Sequence, residues 1–249
     1  MSDPSHSYGD SAARHYGAYR PPLHQPILLD ALGESRFKFA LDIGCGTGWS
    51  TRALESFAEQ IIGVDNSPAM LATNEESDRV EYRLGDGERL PVETGTVDLV
   101  TMAGVLPYLN KSNLLREIQR IAKPTALVLV YDFRVEMELL LRRLQVDLAS
   151  PLPGYNHSDN LDDAEQLENL TSQTRRVSFV VSAQEAAHLI LASDWRFRKL
   201  SDHCAGADPL SYVQSQLAAS ISDITLEAMT WSSLYRVQQS TTSARMQWP

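Results

Sequence analysis

Short apolar runs alternate with amphipathic segments along the first half of the chain. Phe39-Ala40-Leu41-Asp42-Ile43 reads as a buried strand feeding a glycine turn, and Gln60 to Asp65 as a second β-rich run ending in an acid. Further strands are expected over 80–84, 96–102 and 126–133, the last centred on Leu127-Val128-Leu129-Val130. Helical periodicity falls between them, over 25–32, 51–58 and 114–121. Ser67-Pro68 opens another helix, with the proline at its first position. Nearly continuous apolar strands separated by helices predict a doubly wound α/β fold, its mostly parallel sheet covered on both faces.

The pattern loosens after Phe133. A helix is expected over 136–148 and a loop over 150–163, rich in Pro, Gly, Asn and Asp. Ser182-Ala183-Gln184-Glu185 has the form of a capping box opening a helix to Ala192. Two strand-like runs, 195–200 and 230–237, read as a returning hairpin-like edge. The region 134–180 reads as a helical cap inserted into a single domain spanning 1–249.

Composition narrows the partners. The 249 residues suit one large α/β domain, and 43% are hydrophobic, enough for a substantial core. No apolar run approaches the roughly 18 to 20 residues that span a bilayer. Met1 to Gly9 is polar, so a cytoplasmic protein without membrane partners is expected. The formal net charge is −10, and the longest basic clusters are Arg142-Arg143 and Arg175-Arg176. A duplex-binding surface needs clustered Lys and Arg, so nucleic acid is not an expected partner. Cys45 and Cys204 form neither a disulfide framework nor a metal-ligand spacing, and no metal is expected.

The chemistry concentrates in Leu41-Asp42-Ile43-Gly44-Cys45-Gly46-Thr47-Gly48 at a strand-to-helix turn. Glycines there let the backbone approach a ligand, and the helix start supplies free N–H groups. A dinucleotide fingerprint needs a third glycine where Trp49 stands. The spacing Gly44, Gly46, Gly48 behind Asp42 instead resembles the first motif, D-x-G-x-G-x-G, of class I S-adenosylmethionine-dependent methyltransferases. Asp65 follows Gly46 by 19 residues, where a carboxylate can accept from both ribose hydroxyls. Asn66-Ser67-Pro68-Ala69-Met70-Leu71 resembles the family's D-x-S-x-x-M-L, and Gly85-Asp86-Gly87-Glu88-Arg89-Leu90-Pro91 its G-D-A-x-x-L-P.

The resemblance, which runs from about Phe39 to Phe133, implies a seven-stranded sheet whose final strand is antiparallel between its neighbours. It implies S-adenosylmethionine as cofactor, with Asp42, Gly44, Cys45, Gly46, Gly48, Asp65, Asn66 and Met70 around methionyl group, ribose and adenine. Asp86 and Gly87 would read adenine, and Ala103 and Leu106 would line the crevice. Tyr16-Gly17-Ala18-Tyr19-Arg20-Pro21 resembles an N-terminal segment of trans-aconitate-type small-molecule methyltransferases. That likeness makes 1–24 a lid, with Tyr19 and Arg20 at the methionyl carboxylate. Substrate contacts would come from Tyr16, Leu106, Tyr108 and His157.

Pro107-Tyr108 replaces the His-containing pair of many relatives, and Lys123-Pro124-Thr125-Ala126 lacks their two glycines. No base stands out in the sequence, which favours a carboxylate or readily ionised acceptor; the small-molecule acceptor expected is a carboxylate or a hydroxyl. Tyr16, Tyr108, Asp132 and His157 are the groups able to serve as one. A cofactor-binding module without catalysis is the alternative from another class, and a nicotinamide-dependent oxidoreductase, opposed by Trp49, the alternative enzyme.

Overall fold

The computed structural model describes residues 10–148, 155–204, 206–218 and 223–238. Seven strands form one sheet: β1 (Phe37–Ile43), β2 (Ala58–Asp65), β3 (Val80–Leu84), β4 (Val97–Ala103), β5 (Ala122–Glu136), β6 (Leu167–Ser182) and β7 (Asp223–Val237). Their order is β3-β2-β1-β4-β5-β7-β6. The first five pair in parallel, while β7 runs antiparallel between β5 and β6. The chain reverses direction across the sheet between β1 and β4, and open α/β sheets bind ligands at the carboxyl ends of such strands.

The helices are α1 (Asp10–Ala18), α2 (His24–Leu32), α3 (Trp49–Ala53), α4 (Pro68–Leu71), α5 (Lys111–Ile121), α6 (Glu138–Arg143), α7 (Ala183–Leu191), α8 (Asp194–His203) and α9 (Pro209–Ala218). Alternation along β5 separates two cores. Leu129, Tyr131 and Phe133 face α2, α7 and α9, whereas Val128 and Val130 face α5. Helix α5 turns Leu114, Ile118 and Ile121 into that second core, the i, i+4, i+7 stripe of a half-buried helix. Its start is capped by Asn110, whose side chain accepts from the Asn113 N–H.

Several elements depart from the sequence reading. Residues 195–200, expected as a strand, lie in α8, because six residues cannot separate a two-residue period from a helical one. Helix α8 buries Leu200 and carries an Asp194–Arg198 pair one turn apart. Residues 167–180, expected within the cap, lie in the edge strand β6; its outward charges, including Arg175 and Arg176, disguise a sheet element. The insert after β5 therefore lies within 137–166, of which 149–154 are outside the described residues, as are 1–9 of the expected lid. Helix α3 stops at Ala53 in a short 3₁₀ turn, so β2 starts at Ala58, inside the helix expected over 51–58. The capping box at Ser182 forms as expected, with both reciprocal bonds to Glu185. Among the described residues no helix is long and apolar enough to cross a membrane.

Candidate active site

The turn after β1 is left-handed at Gly44, Gly46 and Gly48, with φ of 71°, 52° and 76°. A Cβ on Gly44 would lie 2.3 Å from Val105 Cγ2, so only glycine lets the end of β1 close against the segment leaving β4. Asp42 stands behind this turn. It is fully buried, its Oδ2 accepting from the hydroxyls of Ser50 (2.6 Å) and Thr51 (2.7 Å) and its Oδ1 from Thr101 (2.8 Å). Burial pushes this carboxyl up from its ordinary range, opposed by the three hydroxyls. The expectation that Asp42 touches the cofactor is corrected: enclosed and engaged from both sides, it holds the turn, α3 and β4 together. Cys45 is likewise buried, its thiol pushed up first by burial and then by Asp42 and Asp65.

Asp65 ends β2 beside the turn. Its Oδ2 accepts from the Gly46 N–H at 2.8 Å and its Oδ1 from the Ser67 N–H at 2.9 Å. Asn74, which the motifs did not single out, donates to the Gly46 carbonyl at 2.9 Å and supports the turn from the far side. Met70 is buried and Asn66 exposed. In the turn after β3, one oxygen of Asp86 accepts from the N–H groups of Glu88 and Arg89. A Cβ on Gly87 would lie 2.9 Å from Leu109, so this turn folds down onto the chain leaving β4. Ala103 ends β4 half-buried, whereas Leu106 is 2% exposed and belongs to the α5-side core. Its apolar side chain is satisfied there, which corrects its expected place against substrate.

The N-terminal segment is a helix docked on the site. Trp49 Nε1 donates to the Gly17 carbonyl at 3.3 Å, joining α1 to the glycine turn. The Arg20 guanidinium lies 4.1 Å from the Tyr16 ring centroid and 5.2 Å from that of Phe133, and its buried Nε meets no partner among the described residues. Thr47 Oγ1, in the turn, is a second buried polar atom without one. His24, at the start of α2, bonds the Tyr131 hydroxyl at 3.0 Å; burial first, then Arg20 and Arg52, push its pKa down to about 3. Tyr19 packs into the core instead of at the methionyl end expected for it, and burial, with Glu185 adding, pushes its phenol up to about 12. It anchors the segment to α7.

Helix α1 is also latched to α7 by a histidine pair, His15 and His188, with Nδ1 atoms 3.0 Å apart. Both pKa values are lowered: His15 by burial, then His188 and Arg14, against Asp208, and His188 by burial. A histidine whose pKa falls on docking gives its full stabilisation above the ordinary 6.5 and loses it as pH falls below that value. Acid is therefore expected to loosen α1 from α7. Cofactor affinity, followed by calorimetry, should weaken about threefold to tenfold below pH 6 and do so less in His188→Gln. An identical pH dependence in the two proteins would remove the latch from the account.

The insert after β5 closes the other side. Tyr155 donates to the Gly104 carbonyl at 2.8 Å, and His157 Nδ1 meets Asp132 Oδ2 at 2.8 Å. Gly104 has φ of 65°, and a Cβ on it would lie 2.9 Å from Asp132 Oδ1, so glycine makes room for that carboxylate. His157 stacks on Trp231 of β7 with centroids 5.6 Å apart and planes at 14°, and Tyr155 meets it edge-on at 4.7 Å. Tyr108, half-exposed, lies 5.5 Å from Tyr155. The structure thus brings together Tyr108 and His157 of the expected substrate residues, and adds Asp132, Tyr155 and Trp231. A cavity of 680 Å³, lined by Phe39, Gln60 and Thr96 among others, lies toward the opposite ends of the strands.

These residues fit S-adenosylmethionine. The open side of Gly46 has nothing within 4 Å, Asp65 borders the turn, and the cationic Arg20 carries a buried donor in search of an acceptor. Fold and site together resemble those of class I S-adenosylmethionine-dependent methyltransferases, the class whose cofactor these residues fit. Residues 41–130 match the family model described as a methyltransferase domain. A methyltransferase-named protein of Dictyostelium discoideum is 26% identical over 125 residues, 49% of this chain and 48% of that protein. The 18S rRNA (guanine-N(7))-methyltransferase of Schizosaccharomyces pombe is 41% identical over 85 residues, 33% of this chain and 31% of its own. The chain thus spans half or less of the length of these relatives. A solved type II methyltransferase candidate from Anaeromyxobacter dehalogenans shares the fold, with a TM-score of 0.58 over 88% of this chain and 97% of its own at 18% identity.

Proposed function

We propose that the protein transfers a methyl group from S-adenosylmethionine to a small-molecule acceptor in a closed crevice. The observation carrying this reading is that helix α1 is tied to the glycine turn through Trp49 and Gly17 while the Tyr155–His157 insert is tied to Gly104 after β4, which supports a lid and a cap over one crevice. A crevice bounded on both sides suits a small acceptor better than a folded macromolecule. The net charge of −10 also disfavours an RNA acceptor, although the fission-yeast relative is named for one. A cytoplasmic location and the trans-aconitate-type likeness of the lid belong to the same proposal.

The cofactor, when bound, supplies a methyl already activated on a sulfonium. The chain's part is to bind and orient. With the cofactor bound, Asp65 would accept from the ribose hydroxyls through its remaining lone pairs, and Asp86, Gly87 and Met70 would hold adenine. Arg20 offers its fork to the methionyl carboxylate. Holding the acceptor in line is an effect of proximity and orientation, worth up to about 7 to 11 kcal/mol in favourable cases. A mass-based screen of small acids, phenols and amines against S-adenosylmethionine tests the reading; cofactor binding with transfer to RNA alone would overturn it.

Asp65→Ala tests the ribose assignment. Losing hydrogen bonds to a charged acceptor costs about 1.5 to 3 kcal/mol, more than tenfold in affinity. Calorimetry with S-adenosylhomocysteine should show that weakening while circular dichroism reports an intact fold. Unchanged affinity would take Asp65 out of the ribose site.

A further inference from the structure

We propose that His157 is a general base held by Asp132, and that the acceptor it serves is a neutral hydroxyl of phenolic type. The inference rests on the methyl-transfer reading above and names its acceptor class.

The argument begins with where the pair sits. Met102 of β4 pairs with Ile43 of β1, so the two strands end side by side, and Gly44 touches Val105. The cofactor turn and the Gly104 loop therefore share one wall of the crevice. Tyr155 is bonded to Gly104, and the Asp132 carboxylate lies against the same glycine. Only one residue separates Tyr155 from His157, so the imidazole is held at the mouth of that wall.

The pair has the orientation a base needs. An ionised carboxylate only accepts, so its contact with Nδ1 places the imidazole proton there and leaves the lone pair on Nε2. Nε2 has no partner among the described residues, and the side chain is 26% exposed, open to an incoming molecule. Asp132 is itself held, accepting the Phe133 N–H at 2.7 Å. The loop carrying His157 is pinned beyond it, where the Leu161 N–H donates to the Tyr235 hydroxyl and Lys111 pairs with Asp159 at 2.6 Å. Rings surround the imidazole, with Trp231 stacked on it and Tyr155 and Tyr108 in sequence beside it. Such walls favour a flat aromatic acceptor.

The step balances without a further reactant. The acceptor O–H bond breaks and its proton passes to His157 Nε2. The freed oxygen pair forms the O–CH₃ bond. The S–CH₃ bond breaks and sulfur keeps its electron pair, so the positive charge of the sulfonium ends on the imidazolium, where Asp132 faces it. A carboxylate acceptor is already ionised and needs none of this, so the pair would serve it no purpose.

The experiment uses S-adenosylmethionine with phenol, 4-chlorophenol, 4-nitrophenol and benzoate as acceptor probes, on the full chain and on His157→Gln and Asp132→Asn. A general base contributes about 10²- to 10⁴-fold, so His157→Gln should lose that much toward phenol and little toward the readily ionised 4-nitrophenol. Asp132→Asn, a change to a positioning residue, should lower kcat toward phenol while leaving KM little changed, because the imidazole loses the partner that orients it. Affinity for S-adenosylhomocysteine should stay unchanged in both. Nitrogen NMR of the His157 ring, which needs no acceptor, should show the proton on Nδ1. A uniform loss across phenols of different acidity, wild-type rates in His157→Gln, transfer to benzoate alone, or a proton on Nε2 would each overturn the proposal while leaving methyl transfer standing. No transfer to any probe in protein that binds S-adenosylhomocysteine would count against the methyl-transfer reading, and against the base with it.

Discussion

Asp42→Ala is expected to be the most destabilising single change near the site, costing at least about 3 kcal/mol. Three hydroxyls, from Ser50, Thr51 and Thr101, donate to this one buried carboxylate. Hydrogen bonds to a charged group contribute about 1.5 to 3 kcal/mol each, but neighbouring bonds do not add, so the sum is only an upper bound. The relief of desolvating one carboxylate offsets part of the loss, as its raised pKa indicates. What remains is three buried donors without an acceptor and a gap between β1, α3 and β4. In a chain of this size that corresponds to a fall in Tm of about 6 to 12 °C. Asp42→Asn keeps the shape and one acceptor, so it should lose roughly half as much. The sign of the pH dependence also follows. A carboxyl with a raised folded-state pKa contributes stability that is present at low pH and lost as pH rises through that pKa. Wild-type protein should carry this contribution to the pH slope, and Asp42→Asn should lack it. Thermal unfolding of the three proteins at two pH values checks both statements; an Asp42→Ala protein as stable as wild type would show that the network does not hold the turn.

Removing the lid should cost the protein much of its cofactor affinity without unfolding the sheet. The glycine turn, Asp65 and Asp86 supply backbone N–H groups and carboxylates, but the methionyl carboxylate of the cofactor needs a positive partner, since desolvating it unpaired is costly. Arg20 makes no ion pair among the described residues and is clasped between Tyr16 and Phe133 with its Nε buried. Stacking presets the guanidinium plane and limits the entropy lost when a carboxylate meets it. Arg20→Ala should therefore weaken S-adenosylhomocysteine binding by more than tenfold, the equivalent of about 1.5 to 3 kcal/mol. Arg20→Lys should recover charge but not the fork, and fall between. Deleting residues 1–20 should exceed either, because it also removes the Trp49–Gly17 contact. Arg14→Ala, at an exposed position of the same helix, is the control. Equal affinities across wild type, the truncation and Arg20→Ala would refute the lid.

Both expectations rest on features that differ in how far the sequence reveals them. The glycine turn, the acid 19 residues beyond Gly46 and the strands up to Phe133 are local signals. Turn chemistry and apolar periodicity act over a few residues, so they are readable without knowing what lies across the sheet. The region after Phe133 is less legible for the same reason. Its two long strands, β6 and β7, pair with each other over Leu167 to Ser182. The polar, charged outer positions of edge strand β6 carry no strong apolar alternation. Likewise the latching helix α1 has a polar sequence and is held by contacts to α7 and α8, not by its own propensity.

The sequence by itself determined the doubly wound class, the cofactor turn and the position of Asp65, because short-range backbone constraints dictate each. Tertiary structure decided which polar groups face the ligand and which serve the scaffold. Asp42 belongs to the motif, yet its neighbours Ser50, Thr51 and Thr101 enclose it; Leu106 follows β4, yet it turns into the core. His157 and Asp132 are each legible as groups able to act as a base, but only the fold sets them against one another, 25 residues apart in the chain. His15 and His188, 173 residues apart, meet only because α1 lies on α7. Periodicity encodes which face of an element is buried, but not which distant element covers it; that depends on strand order and helix docking, and side-chain pairing follows from them.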